Sequence, residues 1–431
     1  MINQRNTWVL RDCVGLPSEA DQAGISPQDK HTLRELAKRV AELAALPIQA
    51  ERRDLWTRHN RLEPARPMIL IFPEGSWSEL LPVSALTCEG LRAKEIEWTL
   101  RSLLYYHSNL HDDTVIEGEW VVNKHISTTG WGLEPKRTPS TQEGGAYGFL
   151  PVINAPSDLK KLSFPEVIYD PEGTEQELDE AHDLFDGILD VRLRGISRIS
   201  YHLMNHYTAL RGLEQVMMDM LDNPNWLHDA MAFLEEGNRG VLQQYQEQNL
   251  LSLGSDGSYQ NSGGVAYSSE LPQPDHDPEH VRPCDLWGSA EAQEMAQVSP
   301  RMHAEFILPY ERRLLEPFGL TGYGCCEDLT SKLDDVFTIA NLRRISISPW
   351  ADVDRCAEKL GGDYIYSWKP KPMHLVGDFD EEMLRAYIGH TLRAAKDCVL
   401  ELVLKDTHTC QNHPERFTRW ADIARELIEA Q

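Results

Sequence analysis

The sequence predicts an α/β fold, a (β/α)8 TIM barrel with an N-terminal helical extension, from three observations. Short continuous apolar runs, such as Met68-Ile69-Leu70-Ile71-Phe72 and Val399-Leu400-Glu401-Leu402-Val403-Leu404, have the character of parallel strands covered on both faces. Over the last third of the chain such runs alternate with helical patterns, the order that builds parallel βαβ units. About eight such units fit in 431 residues, and that number suits closure better than an open sheet.

Residues 1–63 read as a helical arm, and 64–431 as the barrel. In the arm, Ser26-Pro27 marks a helix start with proline just inside it. Leu33, Leu36, Ala37, Val40, Leu43 and Ala44 then recur at helical spacing. The first strand is expected at 68–72, a helix at about 89–107 and a second strand at 114–122. Residues 123–185, rich in Gly, Pro, Thr and charge, read as an extended excursion. A third strand is expected at 187–191, helices through 213–221 and 231–245, and a fourth strand at 250–253. After a polar loop over 254–285 and a helix at 299–316, strands are expected at 319–323, 344–347, 363–367 and 398–404.

Composition removes whole classes of function. A formal net charge of −26 opposes nucleic-acid binding, which needs Lys and Arg against phosphate. No run approaches the roughly 20 apolar residues of a membrane helix. The start of the chain lacks the basic-then-apolar order of a secretory signal, so a cytoplasmic protein is expected. Eight cysteines in so long a chain do not form a disulfide framework. Thiols clustered beside a histidine in a reducing compartment point instead to metal binding or catalysis.

Two strand ends carry those thiols. The run ending at Tyr323 empties into Cys325-Cys326-Glu327-Asp328, and the run ending at Leu404 empties into Lys405-Asp406-Thr407-His408-Thr409-Cys410. Thiolate and imidazole together favour zinc in a tetrahedral shell, so Cys325, Cys326, His408 and Cys410 are the candidate metal ligands, for about one zinc per chain. With one position open, such an ion activates a substrate. The plain alternative for Cys325-Cys326 is a small-residue turn. Glu74, Glu327 and His408 are the candidate catalytic groups. Tyr323, Trp368 and Lys369, at strand ends, are candidates for lining the substrate pocket. His202, His206 and Tyr207 have helical spacing and read as packed residues.

The run Leu210-Arg211-Gly212-Leu213-Glu214 through Asp219-Met220-Leu221-Asp222-Asn223-Pro224-Asn225-Trp226-Leu227-His228 resembles a helix-turn-helix of the uroporphyrinogen decarboxylase superfamily. Phe306-Ile307-Leu308-Pro309-Tyr310 resembles the family's "F-x-x-P-Y", and the matching order spans roughly residues 64–430. The resemblance implies a (β/α)8 barrel. True uroporphyrinogen decarboxylases carry an Arg-Gln-Ala-Gly-Arg segment after the first strand, where this chain reads Phe72-Pro73-Glu74-Gly75-Ser76-Trp77. Glu74 would repel a polycarboxylate, so porphyrinogen decarboxylation is not expected. The chain is closer to the branch that moves methyl groups between corrinoid proteins and thiols. That branch uses a His-x-Cys and a late Cys. Cys410 matches the late Cys, whereas Tyr323 or Gly324 stands where the His belongs, leaving His408, the neighbouring thiolate or Glu327 to replace it. The resemblance therefore implies a zinc-dependent methyltransferase acting with a corrinoid (cobalamin), carried by a corrinoid-binding partner protein, on a small methylated substrate or methyl acceptor; a homodimer is an open expectation. The competing readings are a metal-independent decarboxylase or lyase on a non-porphyrin substrate and a catalytically inert ligand-binding barrel.

Overall fold

The computed structural model describes residues 24–138 and 148–430. Seven strands form its central sheet: β1 (Met68–Ile71), β2 (Ile199–Tyr201), β3 (Trp287–Ala290), β4 (Leu320–Tyr323), β5 (Leu342–Ile347), β6 (Ile365–Trp368) and β7 (Val399–Leu404). Their spatial order is β1-β7-β6-β5-β4-β3-β2. Every neighbouring pair is parallel, so all seven C-terminal ends lie along one edge.

The two-residue period of a strand divides its side chains between two faces. On the outer face, Tyr366 donates to the Val353 carbonyl and the Trp368 ring lies against Tyr387 of helix Glu381–Ala394. On the inner face lie Arg344, Ser346, Ser367 and Glu401. Met68, Leu70 and Val403 belong to a separate inner apolar cluster with Trp56, Val115, Tyr259, Val265 and Tyr267.

The inner face is filled by a hairpin, Tyr259–Gln260 paired with Gly263–Val265. Its glycines are dictated by contact. A Cβ at Gly263 would sit 1.7 Å from Ser367 Oγ, and one at Gly264 would sit 2.4 Å from both Arg344 Nη2 and Glu401 Oε2. Both glycines also have positive φ, +140° and +52°. Helix Pro47–Asn60 brings two more groups to the same place. His59 Nε2 lies 3.1 Å from Glu401 Oε2, Asn60 Oδ1 accepts from Arg344 at 2.5 Å, and Arg344 Nε lies 3.1 Å from Glu401 Oε1. Burial opposes the Glu401 charge, but Arg344, His59 and Lys369 hold its carboxyl down at about 2.

Residues 112–116 run beside β1 in an unusual way. Asp113 N donates to the Ile69 carbonyl, while the Asp113 and Asp112 carboxylates accept from Ile69 N and Ile71 N, each at 2.9 Å. Side-chain oxygens thus stand in for strand carbonyls. Asp113 is further held by Arg66 and Arg425, whereas burial pushes Asp112 up to about 6.

Several expected elements differ. The 187–191 and 114–122 strands are realised as Asp190–Arg194 and Glu119–Asn123, which pair with each other outside the central sheet. Residues 250–253 make only an isolated bridge, Leu251 with Ile196. The places in the sheet go to β2 and β3. The excursion over 123–185 contains an antiparallel pair, His125–Thr128 with Val167–Asp170, and a helix, Pro171–Phe185, capped by Asp170 and burying Ala181, Leu184 and Phe185. The helix expected at 299–316 is two helices, Pro300–Phe306 and Leu308–Leu315, because Pro309 has no N–H to continue the ladder. Among the described residues no helix is long and apolar enough to cross a membrane.

Candidate functional site

Past the end of β4, Gly324 takes a φ of +87°, a conformation that suits glycine, and the chain turns to deliver Cys325 and Cys326 to the C-terminal edge. The turn is pinned at both of its polar groups. Cys325 N donates to Glu327 Oε2 at 2.8 Å, and Ser346 Oγ donates to the Cys325 carbonyl at 2.6 Å. The two sulfurs lie 3.6 Å apart.

Lys405, one residue beyond β7, reaches the same place. Its ammonium is 3.9 Å from Cys325 Sγ, 3.7 Å from Cys326 Sγ and 2.9 Å from the Asp406 carboxylate. Asp406 also lies 3.7 Å from Cys326 Sγ, and its backbone N–H donates to Glu74 Oε2 at 3.1 Å. Glu74 and Asp406 both have positive φ, +47° and +59°. Two non-glycine residues in that region, joined by one hydrogen bond across neighbouring strand ends, mark a constrained rim.

The two thiols are within hydrogen-bond reach of each other. The hydrogen bond from Cys325 lowers the Cys326 thiol, with Lys405 adding to the effect against burial. Cys325, as donor to Cys326 and by burial, is raised. Burial opposes the charge on Lys405, but Tyr259, the two sulfurs and Asp406 around it hold it above the ordinary lysine range. The pair therefore places two coupled thiols, that of Cys326 lowered, in contact with an ammonium.

Carboxyls flank this centre. Tyr201 and Ala290 are register partners, so the next residues, His202 and Glu291, stand side by side at the edge. His202 Nδ1 lies 2.5 Å from Glu291 Oε1. Glu327 is 1% exposed and accepts from Ala292 N as well as Cys325 N. Burial raises its carboxyl, with the charge of Glu291 adding to the effect. Glu294, bonded by Asn205, is raised for the same two reasons.

Of the residues singled out from sequence, Cys325, Cys326, Glu327 and Glu74 meet in this region. Tyr323 does not reach it. The strand period turns its side chain to the outer face, where the hydroxyl is 2.8 Å from His303 Nε2 and donates to Glu311 at 2.7 Å. Trp368 likewise faces the outer layer. Lys369 is on the inner face but buried, donating to the Ser262 and Ser367 carbonyls and to Ser367 Oγ. Burial lowers it to about 7. His408 is exposed, its backbone packed against Gly75. Cys410 donates to Glu79 Oε2 at 3.0 Å, and burial and that carboxylate push its thiol up to about 12.

The expected zinc ligands are thus split among three places. Among the described residues no three of His, Cys, Asp and Glu are grouped to hold a metal ion. A cation, Lys405, already lies against both sulfurs, where an incoming metal would meet its charge. As arranged, these residues do not fit a tetrahedral zinc shell. Glu291 and Lys405 were not singled out from sequence, and His202 was read there as a packed residue. The signal for them was parity: each lies an even number of residues beyond an inner-face position of its strand.

No family model matches this sequence, and no curated protein matches it. Among solved structures, the chain is similar to a methyltransferase from Methanosarcina mazei, with 10% identity over 87% of this chain and 98% of that one, at a TM-score of 0.49. So faint a likeness carries no argument about chemistry.

Proposed function

We propose that the chain is an enzyme that exchanges a methyl group between a small substrate and a corrinoid carried by a partner protein. The catalytic centre is the C-terminal edge of a closed (β/α)8 barrel whose eighth stave is the segment 112–116. The observation that carries this reading is the Cys325–Cys326 pair in contact with Lys405. The resemblance of residues 210–228 to the uroporphyrinogen decarboxylase superfamily, which includes methyl-transferring relatives, supports it.

Methyl transfer is a displacement at carbon. A soft nucleophile attacks in line, and the departing atom keeps the bonding pair. The site supplies for each role a group already in place. The thiolate is soft and held close to its counter-ion. Glu327, whose carboxyl burial raises above the ordinary glutamate value, is the group placed to give a proton to a departing oxygen, nitrogen or sulfur. Lys405 stabilises whichever anion remains. Glu74, Glu291, Glu294 and Asp406 make the edge acidic, which disfavours polycarboxylate substrates and with them porphyrinogen decarboxylation.

The test is to mix the protein with cob(I)alamin and a panel of methylated ethers, amines and thioethers and follow the cobalt absorbance. Methylcobalamin is expected from at least one donor. Glu327→Gln, which keeps the shape but has no acidic proton, is expected to slow transfer by about 100-fold. A folded protein that transfers from no donor in either direction would contradict the reading, and lyase chemistry would take its place.

A further inference from the structure

We infer that Cys326 is itself a methyl acceptor, so that transfer proceeds in two displacements through S-methylcysteine at the C-terminal edge. The inference rests on the methyl-transfer reading and adds to it a covalent step on a named atom.

The argument is geometric. A nucleophile in a displacement must be anionic, oriented and free of tight solvation. Cys326 Sγ has the Lys405 ammonium at 3.7 Å and the Cys325 sulfur at 3.6 Å, within hydrogen-bond reach. Asp406, which accepts from the Cys326 thiol at 3.7 Å, is itself held by Lys405 at 2.9 Å, so its charge is compensated. The loop that carries the sulfur cannot drift. Cys325 is tied through its N–H to Glu327 and through its carbonyl to Ser346 on the neighbouring strand. Cys326 is only partly buried, so a methyl donor can reach it. Cys325 is the poorer nucleophile, because it lies farther from the Lys405 ammonium, at 3.9 Å against 3.7 Å.

The step balances. The Cys326 thiolate attacks the methyl carbon, an S–C bond forms, and the carbon–heteroatom or carbon–cobalt bond breaks with both electrons going to the departing atom. From methylcobalamin the products are S-methylcysteine and cob(I)alamin. No external oxidant or reductant is required. In the second displacement the methyl carbon is attacked by the other partner, and the thiolate returns to the field of Lys405.

Methylcobalamin itself is the probe. The intact protein is incubated with it anaerobically in thiol-free buffer, digested with trypsin and analysed by mass spectrometry. The peptide between Arg313 and Lys332 contains Cys325 and Cys326 and no other cysteine. The expected result is one added methyl on Cys326, removed again by excess cob(I)alamin. Cys410→Ala, whose thiol bonds Glu79 away from this pair, should take up the label as the native protein does. Cys325→Ala should still be labelled, at least about tenfold more slowly for the loss of the neighbouring thiol, on the scale of one pKa unit. Methyl on Cys325 alone would overturn the assignment. So would unlabelled peptide together with continued transfer to a small thiol acceptor in Cys326→Ser, and in that case the methyltransferase reading would stand. Loss of no methyl to any acceptor would overturn both.

Discussion

Lys405 is placed so that one ammonium serves two sulfurs and a carboxylate, and its removal should be felt at all three. Lys405→Met keeps most of the buried stem and deletes the charge. At neutral pH, alkylation of the Cys325–Cys326 peptide by iodoacetamide is expected to slow by about tenfold or more, since each pKa unit of thiol shift is a factor of ten in thiolate. An unchanged rate would show that the ammonium does not set thiol reactivity. Cys410→Ala should behave differently. It removes a buried hydrogen bond to Glu79, costs about 1 kcal/mol in urea denaturation, and leaves that alkylation rate as it was. At this scale the sequence revealed the thiol pair because Cys-Cys at a strand end is rare chemistry. It misplaced Tyr323 and Trp368 because strand ends were identified without their parity, and one residue of register exchanges the two faces. The joining of His408 and Cys410 to the thiols failed for a related reason. The backbone turns between Asp406 and Cys410, with Thr407 donating to the Phe72 and Pro73 carbonyls, and carries the later residues away.

Among the elements, the hairpin around Gly263-Gly264 is the least conventional. It fills the inner face where side chains alone would otherwise pack, and its two glycines leave no space for a methyl group. Gly264→Ala is therefore expected to destabilise the protein by about 2 kcal/mol or more through overpacking and backbone strain together, measured as a lowered urea midpoint. The charges beneath the hairpin give a second prediction. Glu401→Gln leaves Arg344 buried without its counter-ion, a change worth about 3–5 kcal/mol at neutral pH. The pH dependence follows from the depressed Glu401 carboxyl. Its contribution is present above about 4.5, the ordinary glutamate value, and is lost as the pH falls toward about 2. Native protein should lose stability over that window, and Glu401→Gln should lose that part of the slope. Helix Pro27–Ala44 was legible from its cap and its apolar spacing. β2 and β3 were not, since Ile199-Ser200-Tyr201 and Trp287-Gly288-Ser289-Ala290 are short and interrupted by small polar residues. Those small residues face the hairpin, so the filling of the inner face erased the apolar signal of the strands that enclose it.

For the molecule as a whole, the parallel α/β architecture was readable from strand-helix alternation, although three of the eight expected strands lie outside the central sheet and two unexpected ones, β2 and β3, stand in it. The N-terminal helices bear on stability as well as on outline. Because His59 and Asn60 complete the Glu401–Arg344 network, deletion of residues 1–61 should leave a chain without a cooperative urea transition, whereas a fully stable truncated protein would show that network to be dispensable. The central claim concerns the source of positive charge at the thiols, Lys405 rather than a metal ion. It is tested most directly by measuring methyl transfer to or from cobalamin before and after exhaustive treatment with a strong chelator, with zinc content determined on the same samples. Activity that survives when zinc is gone is the predicted result; activity that disappears on chelation and returns on adding zinc would contradict it.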